Sequence, residues 1–115
     1  MARAKTAISM YRGDSYPITL KLKDSTSGAV IDLTGASLLM TVDTLENPVD
    51  DSTKLFEVAG VLDADPSTGV VTFTPTSVNT AVVGAYFYDV QLTDADGNVR
   101  TVVKSTFTIT QDITK

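Results

Sequence analysis

The residues able to do chemistry here are mostly carboxylates: fourteen Asp and Glu, with no histidine and no cysteine. Without those two types there is no imidazole acid or base, no thiolate nucleophile, no Ser-His-Asp triad, no disulfide and no Cys or His metal site. Asp94, Asp96 and Asn98 alternate like the opening ligands of an EF-hand calcium loop, and Asp63 and Asp65 occupy a second acidic turn. The sixth loop position would be Val99 and the twelfth Ser105, so the required glycine and bidentate glutamate are missing. Asx-rich turns account for these residues without a metal. Two opposed carboxylates can hydrolyse a glycosidic bond, but no spacing marks a facing pair, and no phosphate-binding loop is present. The expectation is no enzyme activity, no metal and no cofactor. Arg12-Gly13-Asp14 spells the integrin-binding tripeptide, yet it lies just ahead of a strand pattern. There Gly13 supplies a bend and Asp14 a turn hydrogen bond.

Such residues need a scaffold, and 115 residues provide one domain. A chain this long hides roughly two-thirds of its unfolded surface, enough for a core without covalent staples. Hydrophobic residues make up 43% and charged residues 20%, with a net charge of −5. An acidic surface repels phosphate backbones, so nucleic acid is not an expected partner. No apolar window approaches the ~18 residues of a membrane helix, so no membrane partner is expected either. The basic start, Met1 to Lys5, lacks the apolar run of a signal peptide, which points to synthesis in a cytoplasm. Charge is uneven. Residues 1–12 hold Arg3, Lys5 and Arg12 and no acid, a net +3, while the remainder holds six basic and fourteen acidic residues, a net −8. Residues 1–10 therefore read as a basic arm and 11–115 as the folded domain. Arg3, Lys5 and Arg12 are candidates for docking on an acidic neighbour, including a second copy.

Eighteen Thr and fourteen Val give the chain strong β character. Turn residues punctuate it at Asp24–Gly28, Gly35, Glu46–Pro48, Asp63–Gly69, Gly84 and Asp94–Asn98. Alternation places Tyr16, Ile18, Leu20 and Leu22 on one face of a strand that starts near Pro17. Further strands cover Ser37 to Asp43, Lys54 to Val58, Val70 to Thr74, Ala85 to Thr93 and Val99 to Thr110. The last is expected to turn Val99, Thr101, Val103, Phe107 and Ile109 to one side. Thr76 to Val83 is the expected site of the single helical turn, capped by Thr76, with Val78 and Val82 on one face. Phe73, Tyr86, Tyr88 and Phe107 are the expected core aromatics, joined by Ile18, Leu20, Leu33, Leu38, Met40, Val90 and Ile109. A tyrosine-corner-like hydroxyl bond is expected among the tyrosines after Gly84. Outward positions rich in Thr rather than Lys defend a sheet edge poorly, so pairing with a partner strand is expected.

Taken in order, Arg12-Gly-Asp14, Gly28-Ala-Val-Ile-Asp-Leu-Thr-Gly35, Asp63 to Gly69 with Val-Val-Thr-Phe, Gly84-Ala-Tyr-Phe-Tyr-Asp-Val-Gln-Leu-Thr, Asp96-Gly-Asn-Val-Arg-Thr-Val and Phe107-Thr-Ile-Thr-Gln-Asp-Ile-Thr form a set. It resembles the N-terminal immunoglobulin-like domain of phage baseplate upper proteins and related single-domain proteins of phage and prophage structural regions. The resemblance spans about residues 10 to 114. One departure is Ser105, where members often carry glycine at a bend.

The resemblance implies an all-β, immunoglobulin-like antiparallel sandwich of seven to eight strands with one short helical turn. In that frame Asp32 and Thr34 bond within their own turn, Leu33 plugs the core, and Gly35, Gly69, Gly84 and Gly97 shape turns. It also implies a virion structural protein, with other virion proteins and further copies of itself as partners. Since the sequence stops at Lys115 with no fibre or receptor-binding module, the expectation is a free-standing tail or baseplate adaptor. Alternatives are a capsid decoration protein and a carbohydrate- or cell-surface-binding module. The latter would use aromatics outside the inward register, for which Tyr11, Tyr16 and Phe87 are the candidates.

Overall fold

Alternating apolar residues require two sheets that bury one face each against the other, and that is the architecture. The computed structural model describes residues 7–15, 17–23, 27–49 and 52–111. The strands are β1 (Ile8–Tyr11), β2 (Ile18–Lys21), β3 (Ser37–Asp43), β4 (Lys54–Ala59), β5 (Val61–Leu62), β6 (Val70–Phe73), β7 (Gly84–Thr93) and β8 (Val99–Thr110). One sheet has the order β1-β8-β7-β3-β4 and the other the order β2-β6-β5. The chain changes sheet between β1 and β2, β2 and β3, β4 and β5, and β6 and β7. The result is an all-β sandwich of two sheets with one short helical turn.

The inward alternation holds through most of the chain. Leu38, Met40 and Val42 of β3, Val71 and Phe73 of β6, and Tyr86, Tyr88, Val90 and Leu92 of β7 are buried in one cluster with Leu22, Leu33, Phe107 and Ile109. Ile18 and Leu20 are partly buried against it. Phe107 sits at its centre, edge-on to Phe56 (5.8 Å between ring centroids) and to Tyr88 (6.2 Å). Tyr16 lies outside the described residues.

Four expectations are corrected. The sandwich begins before residue 11: β1 starts at Ile8, and Ile8 and Met10 are buried, so residues 8–10 belong to the core and not to an arm. The sheets are not wholly antiparallel, because β1 runs parallel to β8, with Ile8 opposite Phe107 and Tyr11 opposite Thr110. That strand precedes a change of sheet, so no tight hairpin constrains its direction.

In β8 the facing changes midway. Val90 pairs with Val103 but Gln91 pairs with Thr101, so Val102 is an extra, bulged residue and both Val102 and Val103 are buried. Val99 and Thr101 are thereby turned to the side opposite Val103, and Val99 is exposed. Ser105, by contrast, pairs in register with Tyr88.

The helical turn is at Pro66–Thr68, not at Thr76 to Val83. Proline opens it and Asp65 caps it, accepting from the Ser67 amide (3.1 Å) and hydroxyl (2.6 Å). Residues 77–80 form a turn held reciprocally: the Thr76 amide donates to Asn79 Oδ1 (2.8 Å) and the Asn79 amide to Thr76 Oγ1 (3.1 Å). Thr76 is thus a cap, but no helix follows, and Val78 and Val82 are exposed. Buried Thr80 takes the inward position instead.

Candidate functional site

Most residues singled out by the sequence shape turns, at separate places on the scaffold. Asp32 Oδ1 accepts from the Thr34 amide (2.9 Å) and hydroxyl (2.6 Å). These bonds favour the carboxylate, so the Asp32 pKa is lowered, first through the hydroxyl and then through the amide. Leu33 between them is fully buried and its amide donates to the Pro66 carbonyl (3.0 Å). Gly35 turns with a φ of +74°. Gly69 ends the helical turn at φ +75°, where a Cβ would lie 2.9 Å from the Leu22 carbonyl oxygen and 3.0 Å from that of Ile31. Both its conformation and its space demand glycine.

Gly84, expected to shape a turn, has another role. It is the first residue of β7, and a Cβ there would come within 2.9 Å of the Tyr86 ring. The bare backbone lets that ring fold back so that Tyr86 Oη donates to the Val82 carbonyl (2.9 Å). This is a tyrosine corner between β6 and β7. Gly97 sits in the β7–β8 hairpin, where its amide donates to the Asp94 carbonyl (3.0 Å). Asp94 Oδ1 accepts from the amides of Asp96 (3.0 Å) and Asn98 (2.9 Å), which gives the D-x-D-x-N pattern a structural use.

Of the arm, Arg3 and Lys5 lie outside the described residues. Arg12 is half-buried in the turn after β1. The Arg12-Gly13-Asp14 tripeptide is clamped rather than presented: the Arg12 amide donates to Thr110 O (2.8 Å), the Gly13 amide to Thr80 O (3.0 Å), and Thr80 Oγ1 to Asp14 O (2.8 Å). Those bonds bring the end of β1 beside the 76–83 connection.

Two surfaces stand out. The first is at that end of the sandwich, where Tyr11 (58% exposed), Val78 (80%), Val82 (58%) and Val83 (44%) turn outward on the clamped segments. The sequence reading set Val78 and Val82 on one face of a helical turn and so missed this surface. The signal was there: a pair of β-branched residues in a segment with no strand partner.

The second surface is the outer face of the five-stranded sheet. The loop after β3 folds over it and leaves a groove of about 310 Å³ lined by Thr41, Asp43, Glu46, Phe87, Asp89 and Lys104, among others. Asp43 is buried and holds the loop, accepting from the Leu45 amide (2.9 Å) and the Thr53 hydroxyl (2.7 Å). Lys104 Nζ donates to Asn47 Oδ1 (2.8 Å) across the groove. Burial raises the pKa of Asp89; nearby Lys104 opposes that and Asp43 adds to it. Phe87, Asp89 and Gln91 were legible as outward positions of β7, but the loop that makes a groove of them was not. Phe87 is half-buried there, Tyr11 is exposed, and Tyr16 lies outside the described residues.

Among the described residues, no group of three or more acidic side chains is arranged to hold a metal ion, and no helix is long and apolar enough to cross a membrane. Compared with protein-family models the chain matches none, and a comparison with curated protein sequences finds no match.

Proposed function

We propose that this chain is a phage virion structural protein, an adaptor of the tail or baseplate that acts by protein–protein assembly and not by catalysis. The observation that carries the proposal is the exposed apolar end formed by Tyr11, Val78, Val82 and Val83. Exposed apolar residues grouped on adjoining segments of a small domain mark an interaction site. Here it is mounted on segments fixed by three hydrogen bonds, so docking would cost little ordering of the backbone. The ordered motif set from Arg12-Gly-Asp14 to Phe107-Thr-Ile-Thr supplies the virion context, and the sandwich is the fold that set implies. Other virion proteins are then its partners, and the particle its location.

The test is incorporation. A Val78→Asp, Val82→Asp double variant changes two exposed positions, so its melting temperature should stay within a few degrees of wild type. Its recovery in purified particles should fall at least ~10-fold, the equivalent of ~1.4 kcal/mol of lost docking. Wild-type recovery of a folded double variant contradicts the assignment of this end as the docking surface.

A further inference from the structure

We propose that the groove on the outer face of the five-stranded sheet is the receptor for the basic N-terminal residues Arg3 and Lys5 of a second copy, linking copies head to tail. This rests on the reading that the chain assembles with itself, and not on which particle it builds.

Charge complementarity comes first. Among its described lining residues the groove presents Asp43, Glu46 and Asp89 against one cation, Lys104. Lys104 spends a hydrogen bond on Asn47, and among the described residues no hydrogen bond reaches the Asp89 carboxylate. Asp89 is half-buried and destabilised as an anion by its surroundings. A guest ammonium or guanidinium beside it relieves that condition, and an anionic or neutral guest does not. Phe87 forms part of the wall, offering an aromatic surface to the methylene stem or cationic head of a lysine or arginine. The body of the protein is net −8 and residues 1–12 are net +3, so this chain carries its own complement.

Sheet order favours another copy's residues over the chain's own. Lys104 lies on β8, directly between β1 and the Asp89-bearing β7, with Asp89 its register partner. From β1 of the same chain, the approach to Asp89 crosses Lys104, a like charge. A second copy can enter over Phe87 and Glu46, where no described cation lines the groove. Such a contact is heterologous: donor and acceptor are different patches, so it builds rings or open arrays rather than a closed twofold pair.

The experiment mixes equal amounts of unlabelled and nitrogen-15-labelled full-length chain and adds a zero-length carbodiimide, which joins an ammonium to a carboxylate it touches. The expected product joins Lys5 of one isotope to Asp89 or Glu46 of the other. Its yield should fall at least ~10-fold as salt rises from about 0.05 M to about 0.5 M, because surface charge pairs are screened. An Arg3→Glu, Lys5→Glu variant should sediment as a monomer, and mixing it with Asp89→Lys chain should restore hetero-association, since each retains one half of the contact. Cross-links confined to a single isotope, Lys5 joined only to other carboxylates, or no dependence on these charges would overturn the proposal. Only purified chain is needed, so this outcome is separate from particle incorporation.

Discussion

The hydroxyl of Tyr86 donates to the backbone carbonyl of Val82 at 2.9 Å, and the ring behind it occupies space that any side chain at position 84 would fill. Two residues apart in sequence, Gly84 and Tyr86 thus form one device that fixes how the chain passes from β6 to β7. The same device holds the backbone of the exposed apolar end. Tyr86→Phe should cost about 1 kcal/mol by removing one hydrogen bond. Gly84→Ala should cost more, ~1–3 kcal/mol, through overpacking against the ring. Urea denaturation of the two variants checks the order.

Phe107 carries the centre of the core, fully buried and edge-on to both Phe56 and Tyr88. Phe107→Ala should cost ~3–5 kcal/mol through lost burial and a residual cavity. A variant that melts within a degree of wild type would contradict the core described above.

Asp32 should titrate below the ordinary carboxylate range because Thr34 donates two hydrogen bonds to it. A lowered folded pKa means the unfolded chain takes up the proton first. The stabilisation is therefore complete above the ordinary Asp range and is lost as pH falls through the lowered value. Thr34→Val keeps the amide bond but removes the hydroxyl, and should move the Asp32 titration back up. Carbon-detected NMR of the carboxyl reads this directly.

Asp89 and Tyr88 carry the opposite sign. Burial pushes the Tyr88 phenol up to about 12 from its ordinary 10, so the folded chain keeps a proton that the unfolded chain releases. Stability should fall as pH climbs from about 10 to about 12, and the Tyr88 phenolate, followed by NMR of its own ring, should appear together with unfolding. The Asp89 pKa is likewise raised, so its anion weakens the fold as pH rises through the window just above the ordinary Asp range. Asp89→Asn should raise the melting temperature at neutral pH while weakening self-association. A residue that weakens the fold but serves a contact is the usual compromise at a binding site.

The strands and their inward faces were legible because period-2 alternation is strong in β3, β6 and β7, and because Leu33, set between Asp32 and Thr34 ahead of Gly35, announces its own turn. Three features were not. The bulge at Val102 adds one residue between Thr101 and Val103, β-branched like itself, and nothing local distinguishes the residue that is extra. The parallel pairing of β1 depends on β8, about a hundred positions away, so residues 8–10, read as part of an arm, became core strand. Val78 and Val82 have helical spacing, but Thr76 and Asn79 close a tight turn first, and buried Thr80 takes the inward place through its bond to Asp14. The groove escaped for a similar reason. Asp43, Asn47, Asp89 and Lys104 come from three strands and a loop, and are brought together by register rather than by spacing.

The central claim is that this chain is a component of an assembled particle. The most direct measurement is quantitative mass spectrometry of particles purified through a density gradient from cells that make the chain. Peptides such as the one ending at Arg100 should appear at a constant ratio to the other structural proteins across the particle peak, and the ratio should survive a high-salt wash if the apolar end carries the attachment. Absence of the chain from the peak, or a ratio that drifts across the gradient as a contaminant's would, contradicts the account.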